Sequence, residues 1–200
     1  MEEGLMDTKG IAIVKEIRNA IFIDELKEPS YIVKTIWNYY QEYYSEDNSV
    51  NGAVFEEIIG YVLTVKNCTP FYMQAKVAYV PNVNYDFILF DKEEGPVSIS
   101  AKTTLRERWK QADLEAVALK YVHRNALSYI LTLDSAAVIT RKGKLKECMA
   151  LNDFILASDS QFDELIHTLQ NRSLELAGTV DVITSNKVID QSTGDARYGR

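Results

Sequence analysis

The sequence predicts an α/β domain with a mixed central sheet flanked by helices. Three observations predict it. Apolar residues recur at helical spacing over the first third of the chain, short alternating stretches bounded by turn residues follow, and a further helical stretch separates that hairpin from later strand-like runs. Helices, then a hairpin, then a helix, then strands is the pattern of an α/β or α+β domain.

The elements follow in order. Thr8 to about Leu26 has mixed apolar character and reads as a helix. Pro29 and Ser30 open a second, in which Ile32, Ile36, Tyr39, Tyr40 and Tyr43 fall at helical spacing. SEDNSVNG is a loop, and Phe55 to Val65 is a helix with Phe55, Ile58, Ile59 and Val62 on one side. Ala75 to Val80 and Tyr85 to Phe90 read as strands, DKEEGP as a turn, and Val97 to Lys102 as a third strand. A long helix from about Leu105 to His123 buries Leu105, Trp109, Ala112, Ala116 and Leu119. Leu127 to Leu133, Ala136 to Thr140 and Asp153 to Leu156 read as strands, and Ser160 opens a helix to Leu169. The polar tail QSTGDARYGR is expected to be mobile.

A chain of 200 residues fits one domain, here taken as 1–200. With 46% apolar and 26% charged residues it reads as soluble and globular, and no apolar run approaches the roughly 20 residues of a membrane span. The start, MEEGLMDTKG, is too acidic and polar for a signal peptide. Cys68 and Cys148 stand far apart, which suits a reducing cytoplasm, and His123 and His167 lack metal-ligand spacing. No GxxxxGK[ST] loop is present, so no nucleotide cofactor is expected. A net charge of −7 weighs against a nucleic-acid binder, but local charge matters more than the total. Lys102, Arg106, Arg108 and Lys110 lie close together; Arg141, Lys142, Lys144 and Lys146 form a second run that reads as a solvated turn about Gly143.

The chemistry centres on the hairpin. A turn near Glu93 and Glu94 puts Asp86 opposite Lys102 and Ile88 opposite Ser100, with Asp86, Ser100 and Lys102 on one face. An Asp–Lys pair alone is no more than a surface ion pair worth under about 1 kcal/mol. The following helix adds Glu115 and Arg108 along one edge of its buried stripe, where a carboxylate can reach back toward Asp86. Two carboxylates and an ammonium around a small space suit divalent-metal hydrolysis of a phosphodiester. Hard oxygen ligands hold Mg2+, and a lysine beside it orients or deprotonates water and offsets negative charge.

Asp86, Ser100-Ala101-Lys102 and Glu115 resemble the PD-(D/E)XK nuclease motif in the variant where serine replaces the acidic residue before the lysine and the following helix supplies the carboxylate. SAKTTLRERWKQADLE is similar to the corresponding segment of the type II restriction enzymes that recognise CC…GG sites, the EcoRII/PspGI-like group. The resemblance covers roughly residues 52–135, the expected catalytic core; Tyr85-Asp86 stands where the motif has Pro-Asp. It implies a restriction-endonuclease-like fold, Mg2+ on Asp86 and Glu115, and Lys102 as the residue that positions water. Within NGAVFEEIIGYVL, the Phe-Glu resembles the first motif of this fold, which makes Glu56 a support for the metal site, with Glu57 the alternative. Without the resemblance, the two are a solvent-facing Glu pair.

In that group an Arg-Glu-Arg-like element after the lysine reads C·G pairs, and Arg106 and Glu107 match its first two positions. Arg donates bidentately to guanine and a carboxylate accepts from cytosine N4. Arg108 either contacts DNA or pairs with Glu115. Glu115 lies thirteen residues after Lys102, the shorter spacing, which implies a CCNGG or CCWGG site with flipped central bases, and CCGG as the alternative. A palindromic site on double-stranded DNA implies a two-fold homodimer. Rival readings are a nuclease of the same fold in repair or phage defence, a catalytically inactive DNA-binding protein, and a structural domain whose ion pairs only look like a site. The tyrosine-rich helix with Trp37 reads as core or dimer interface before base stacking, and Asp91 as a solvated turn residue.

Overall fold

The structure, a computed structural model, describes residues 9–44, 50–80, 82–177 and 183–199. Its helices are α1 (Lys9–Ala20), α2 (Pro29–Tyr43), α3 (Asn51–Val65), α4 (Arg108–Val122), α5 (Ser135–Lys142), α6 (Ser160–Gln170) and α7 (Gln191–Tyr198). Its strands are β1 (Phe71–Val77), β2 (Tyr85–Leu89), β3 (Val97–Lys102), β4 (Leu127–Thr132), β5 (Asp153–Leu156) and β6 (Ile183–Ile189). They form one six-stranded sheet in the order β5-β4-β3-β2-β1-β6. β3, β4 and β5 run parallel; β2, β1 and β6 pair antiparallel. The mixed sheet flanked by helices is therefore present as expected.

α3 is apolar on nearly every side, and such a helix must be buried all round. It lies between the sheet and α1, α2 and α7, and its Phe55, Ile58, Ile59 and Val62 join Phe71, Phe87, Ile99 and Leu131 in the main core. Gly60 is required there, because a Cβ would collide with the Tyr198 hydroxyl. α4 covers the other face, where Ala112, Ala116 and Leu119 are buried as the apolar stripe requires.

Several boundaries differ from the sequence reading. α1 stops at Ala20, so Leu26 lies outside it and is exposed; Thr8 and most of SEDNSVNG lie outside the described residues. β1 begins at Phe71 and ends at Val77 instead of running over Ala75 to Val80. Ala136 to Thr140 is helical, because the Asp134 carboxylate accepts the Ala137 N–H at 3.0 Å and caps α5. α4 starts at Arg108, and Leu105 to Glu107 form a turn in which Arg106 has φ 35°. α6 does open at Ser160, with Asp159 as its cap.

The largest correction is the C-terminus. Residues 191–199 of the QSTGDARYGR tail are built into the fold: Asp190 and Thr193 form a capping box at the start of α7, and Arg200 lies outside the described residues. Tyr198 is fully buried and Arg197 nearly so. The preceding β6, which has no counterpart in the sequence reading, extends the sheet beside β1.

The hairpin register also moves. β2 and β3 pair Phe87 with Ile99 and Ile88 with Ser98, which brings Asp86 beside Ser100 instead of Lys102. Asp91 causes the shift. It is 2% exposed, its Oδ1 accepts the N–H groups of Glu93 and Glu94, and its carbonyl accepts that of Gly95, closing a turn centred on Glu93. Gly95, at φ 90°, is the residue such a turn needs. A two-residue shift preserves the faces, so Asp86, Ser100 and Lys102 still meet.

Candidate active site

Asp86 sits at the start of β2 and Lys102 at the end of β3, so the antiparallel pairing brings them to the same end of the sheet. Asp86 Oδ2 accepts from Lys102 Nζ at 2.6 Å, from the Ala101 N–H at 2.9 Å and from Ser100 Oγ at 3.2 Å. The pair is largely withdrawn from water, with side-chain exposures of 17% and 10%. A solvated surface bridge is thereby excluded, and losing one partner would strand a buried charge.

Two further carboxylates approach from opposite faces of the sheet. Glu56 comes from α3, where Gln74 Nε2 donates to its Oε2 at 2.8 Å. Burial, then the charge of Asp86, pushes the Glu56 carboxyl up to about 7, against the opposing pull of Gln74 and Lys102. Glu115 comes from α4, which the Tyr85 hydroxyl ties down by donating to the Glu115 carbonyl at 2.9 Å. Burial raises the Glu115 carboxyl as well, and Gln111, whose amide donates to its Oε1 at 2.7 Å, and Lys102 oppose that rise. Asp86, Ser100 and Glu115 line one small cleft together with Tyr85, Ala112 and Ala116.

Glu56 and Glu57 separate the alternatives left open by the sequence. Glu56 faces the Asp86–Lys102 pair. Glu57 points away, is 3% exposed, and accepts from Arg197 and from the Tyr198 hydroxyl, with Lys187 at 3.8 Å. It anchors the C-terminus.

Among the described residues no cluster of three or more His, Cys, Asp or Glu side chains forms a ready-made metal cage. The donor set nonetheless fits magnesium. That ion keeps several waters and is held through one or two carboxylates. The described hydrogen bonds to Asp86 all reach Oδ2, which leaves Oδ1 for a cation. A divalent ion would also offset the repulsion that raises Glu56.

Arg106, Glu107 and Arg108 are all exposed where the segment after Lys102 turns into α4, whose first residue is Arg108. Glu107 pairs with Lys110, whose ammonium lowers its pKa. Among the described residues Arg106 and Arg108 have no partner, so Arg108 does not pair with Glu115. The second basic run is only partly a solvated turn. The Arg141 guanidinium lies 4.5 Å from the Trp109 ring, and Lys142 pairs with Asp153 at 3.6 Å, while Lys144 and Lys146 are exposed. Trp109 itself packs edge-on against Phe154 and is partly buried. On α2, Trp37 packs on Tyr40 and Phe55 and lies partly buried against the main core.

Sequence reasoning missed Gln74, Asn84 and Gln111. Gln111 was legible, since it stands four residues before Glu115 on a helix face. Gln74 was not, because it meets Glu56 only through the tertiary fold.

No family model matches the chain, and no curated protein matches it significantly. A search of solved structures finds a similar fold in a "Restriction endonuclease PspGI-substrate DNA complex", with 16% sequence identity, a TM-score of 0.55, and coverage of 94% of this chain and 85% of that one. The chain thus has a restriction-endonuclease-like fold. No described helix is long and apolar enough to cross a membrane.

Proposed function

We propose that this chain is a Mg2+-dependent, site-specific endonuclease of double-stranded DNA, of the type II restriction class. One observation carries the reading: Asp86, Lys102, Glu56 and Glu115, from four separate elements, converge at one end of the sheet in a fold shared with a restriction enzyme solved on its substrate DNA. Structural ion pairs rarely bring two further carboxylates within electrostatic range of one buried Asp–Lys pair, because placing like charges together costs stability.

Asp86 and Glu115 would hold the ion, with Glu56 in support. Bound there, Mg2+ supplies Lewis acidity to the phosphate and lowers the pKa of water. Lys102 is positioned by Asp86 to orient the attacking water and to offset charge on the phosphate oxygens. Ser100 and the Ala101 N–H fix the Asp86 carboxylate so that it does not rotate away. Arg106 and Glu107 would read the outer G·C pairs of a CCNGG or CCWGG site, with CCGG the alternative, and a palindrome would be cut by a two-fold homodimer.

The deciding experiment digests a plasmid of known sequence with pure protein and Mg2+, with EDTA as control, and sequences the ends. Discrete Mg2+-dependent fragments ending at a CC…GG site are expected. Cleavage elsewhere would keep the active site and discard the roles of Arg106 and Glu107. No cleavage with any divalent ion would remove the enzyme reading and leave a DNA-binding protein.

A further inference from the structure

Gln74 lies inside β1, where the pairs Met73–Phe87 and Ala75–Tyr85 bracket it opposite Asp86. Its φ is 50°, in the left-handed region that a non-glycine residue adopts only at a cost. No turn there demands it, since β1 continues to pair with β6 on both sides of the position. The packing shows the consequence. Met73 belongs to the core under α3, whereas Ala75 and Val77 belong to the cluster on the α4 side, so the alternation of the strand inverts at Gln74.

The inversion delivers the Gln74 amide to Glu56. Nε2 donates to Glu56 Oε2 at 2.8 Å, and Oε1 accepts from Asn84 Nδ2 at 2.5 Å. Both ends of the amide are thus used, the NH2 by Glu56 and the carbonyl by Asn84.

Building on the active-site reading above, we propose that Gln74 is a positioning residue, a neutral clamp that holds the Glu56 carboxylate toward the Asp86 centre, with Asn84 as its anchor. Neutrality matters. A lysine or arginine in its place would cancel the negative charge that a cation needs, whereas an amide fixes one oxygen and leaves the other oxygen and the charge in place. The strained backbone persists because a regular strand conformation would aim the side chain at the other face.

The test uses the full-length protein and three measurements: Mg2+ affinity without DNA by titration calorimetry, thermal unfolding, and cleavage at graded Mg2+. Gln74→Gly removes the amide and suits a φ of 50°. It should weaken Mg2+ binding by roughly 10–100-fold, the usual cost of losing a residue that orients a metal ligand, with Tm unchanged or raised. In a Glu56→Ala background, Gln74→Gly should add nothing. Wild-type Mg2+ affinity in Gln74→Gly, or an equal loss in the Glu56→Ala background, overturns the clamp. If Glu56→Ala binds Mg2+ as the wild type does, the clamp fails while Asp86 and Glu115 stand; if the wild type neither binds Mg2+ nor cuts DNA, the active-site reading fails and takes the clamp with it.

Discussion

Lys102 Nζ and the Ala101 N–H, from neighbouring residues of β3, converge on one oxygen of Asp86, at 2.6 Å and 2.9 Å. The lysine is therefore held in place by this carboxylate, and the described hydrogen bonds leave the other oxygen of Asp86 available. Lys102→Ala should lower the cleavage rate by about 10²–10⁴-fold, the range for losing a positioned proton-transfer group, while DNA binding changes little. Single-turnover cleavage and a gel-shift titration in Ca2+ check it together. Normal cleavage by Lys102→Ala would remove Lys102 from the chemistry.

Glu57 should behave oppositely to its neighbour. It accepts from Arg197 and Tyr198 in a dry environment, so removing it strands a buried guanidinium. Glu57→Ala should cost about 3–5 kcal/mol of stability, by the measure of other broken buried pairs. Deleting residues after Asp190 should cost as much or more, because Tyr198 leaves the core with them. Urea unfolding reads both; a midpoint that stays put would mean that α7 contributes nothing to the fold.

The Glu56 carboxyl carries a pH signature. Its pKa in the folded protein, about 7, stands above its ordinary value of 4.5, so the folded state binds the extra proton between those limits. Stability from this group is complete below pH 4.5 and is lost as pH rises through about 7. The metal-free wild type should therefore lose Tm between pH 5 and 8 relative to Glu56→Gln, and Mg2+ should restore it at pH 8 by favouring the charged form. Parallel pH profiles for the two proteins would contradict the burial of Glu56.

How much of this was legible depended on whether local pattern or distant contact decided the outcome. α3, β2, β3 and β5 were readable because their apolar spacing is strong and their ends carry turn residues. The meeting of Asp86 and Lys102 was readable because the two share one hairpin. The C-terminus was not. α7 is eight mostly polar residues, and only the buried Glu57 and the notch at Gly60 give Arg197 and Tyr198 a place. The hairpin register failed for a similar reason. Asp91 looked like a solvated turn residue, yet its Oδ2 accepts the Ser173 N–H at 3.1 Å from far along the chain, and its side chain is buried beneath an otherwise exposed turn. The Ala136 to Thr140 error was local: Asp134 was a readable cap before a run that also suits a strand.

A variant at Arg106 would test recognition apart from catalysis. It is exposed, has no partner among the described residues, and sits four residues after Lys102 on a turn where its φ is 35°. Nothing in the fold rests on its side chain, and alanine meets the same left-handed backbone cost as arginine, so Arg106→Ala should leave Tm within about 1 °C of the wild type. If Arg106 reads a guanine, the same variant should lose about 1–3 kcal/mol of discrimination for the cognate site, roughly 10–100-fold, while binding to random DNA falls far less. A salt titration distinguishes the alternative. A residue that only touches phosphate weakens all sequences alike and lowers the salt slope by about one contact. Equal losses on cognate and random duplexes would make Arg106 a phosphate ligand and move the reading of the G·C pairs to other residues of the exposed turn.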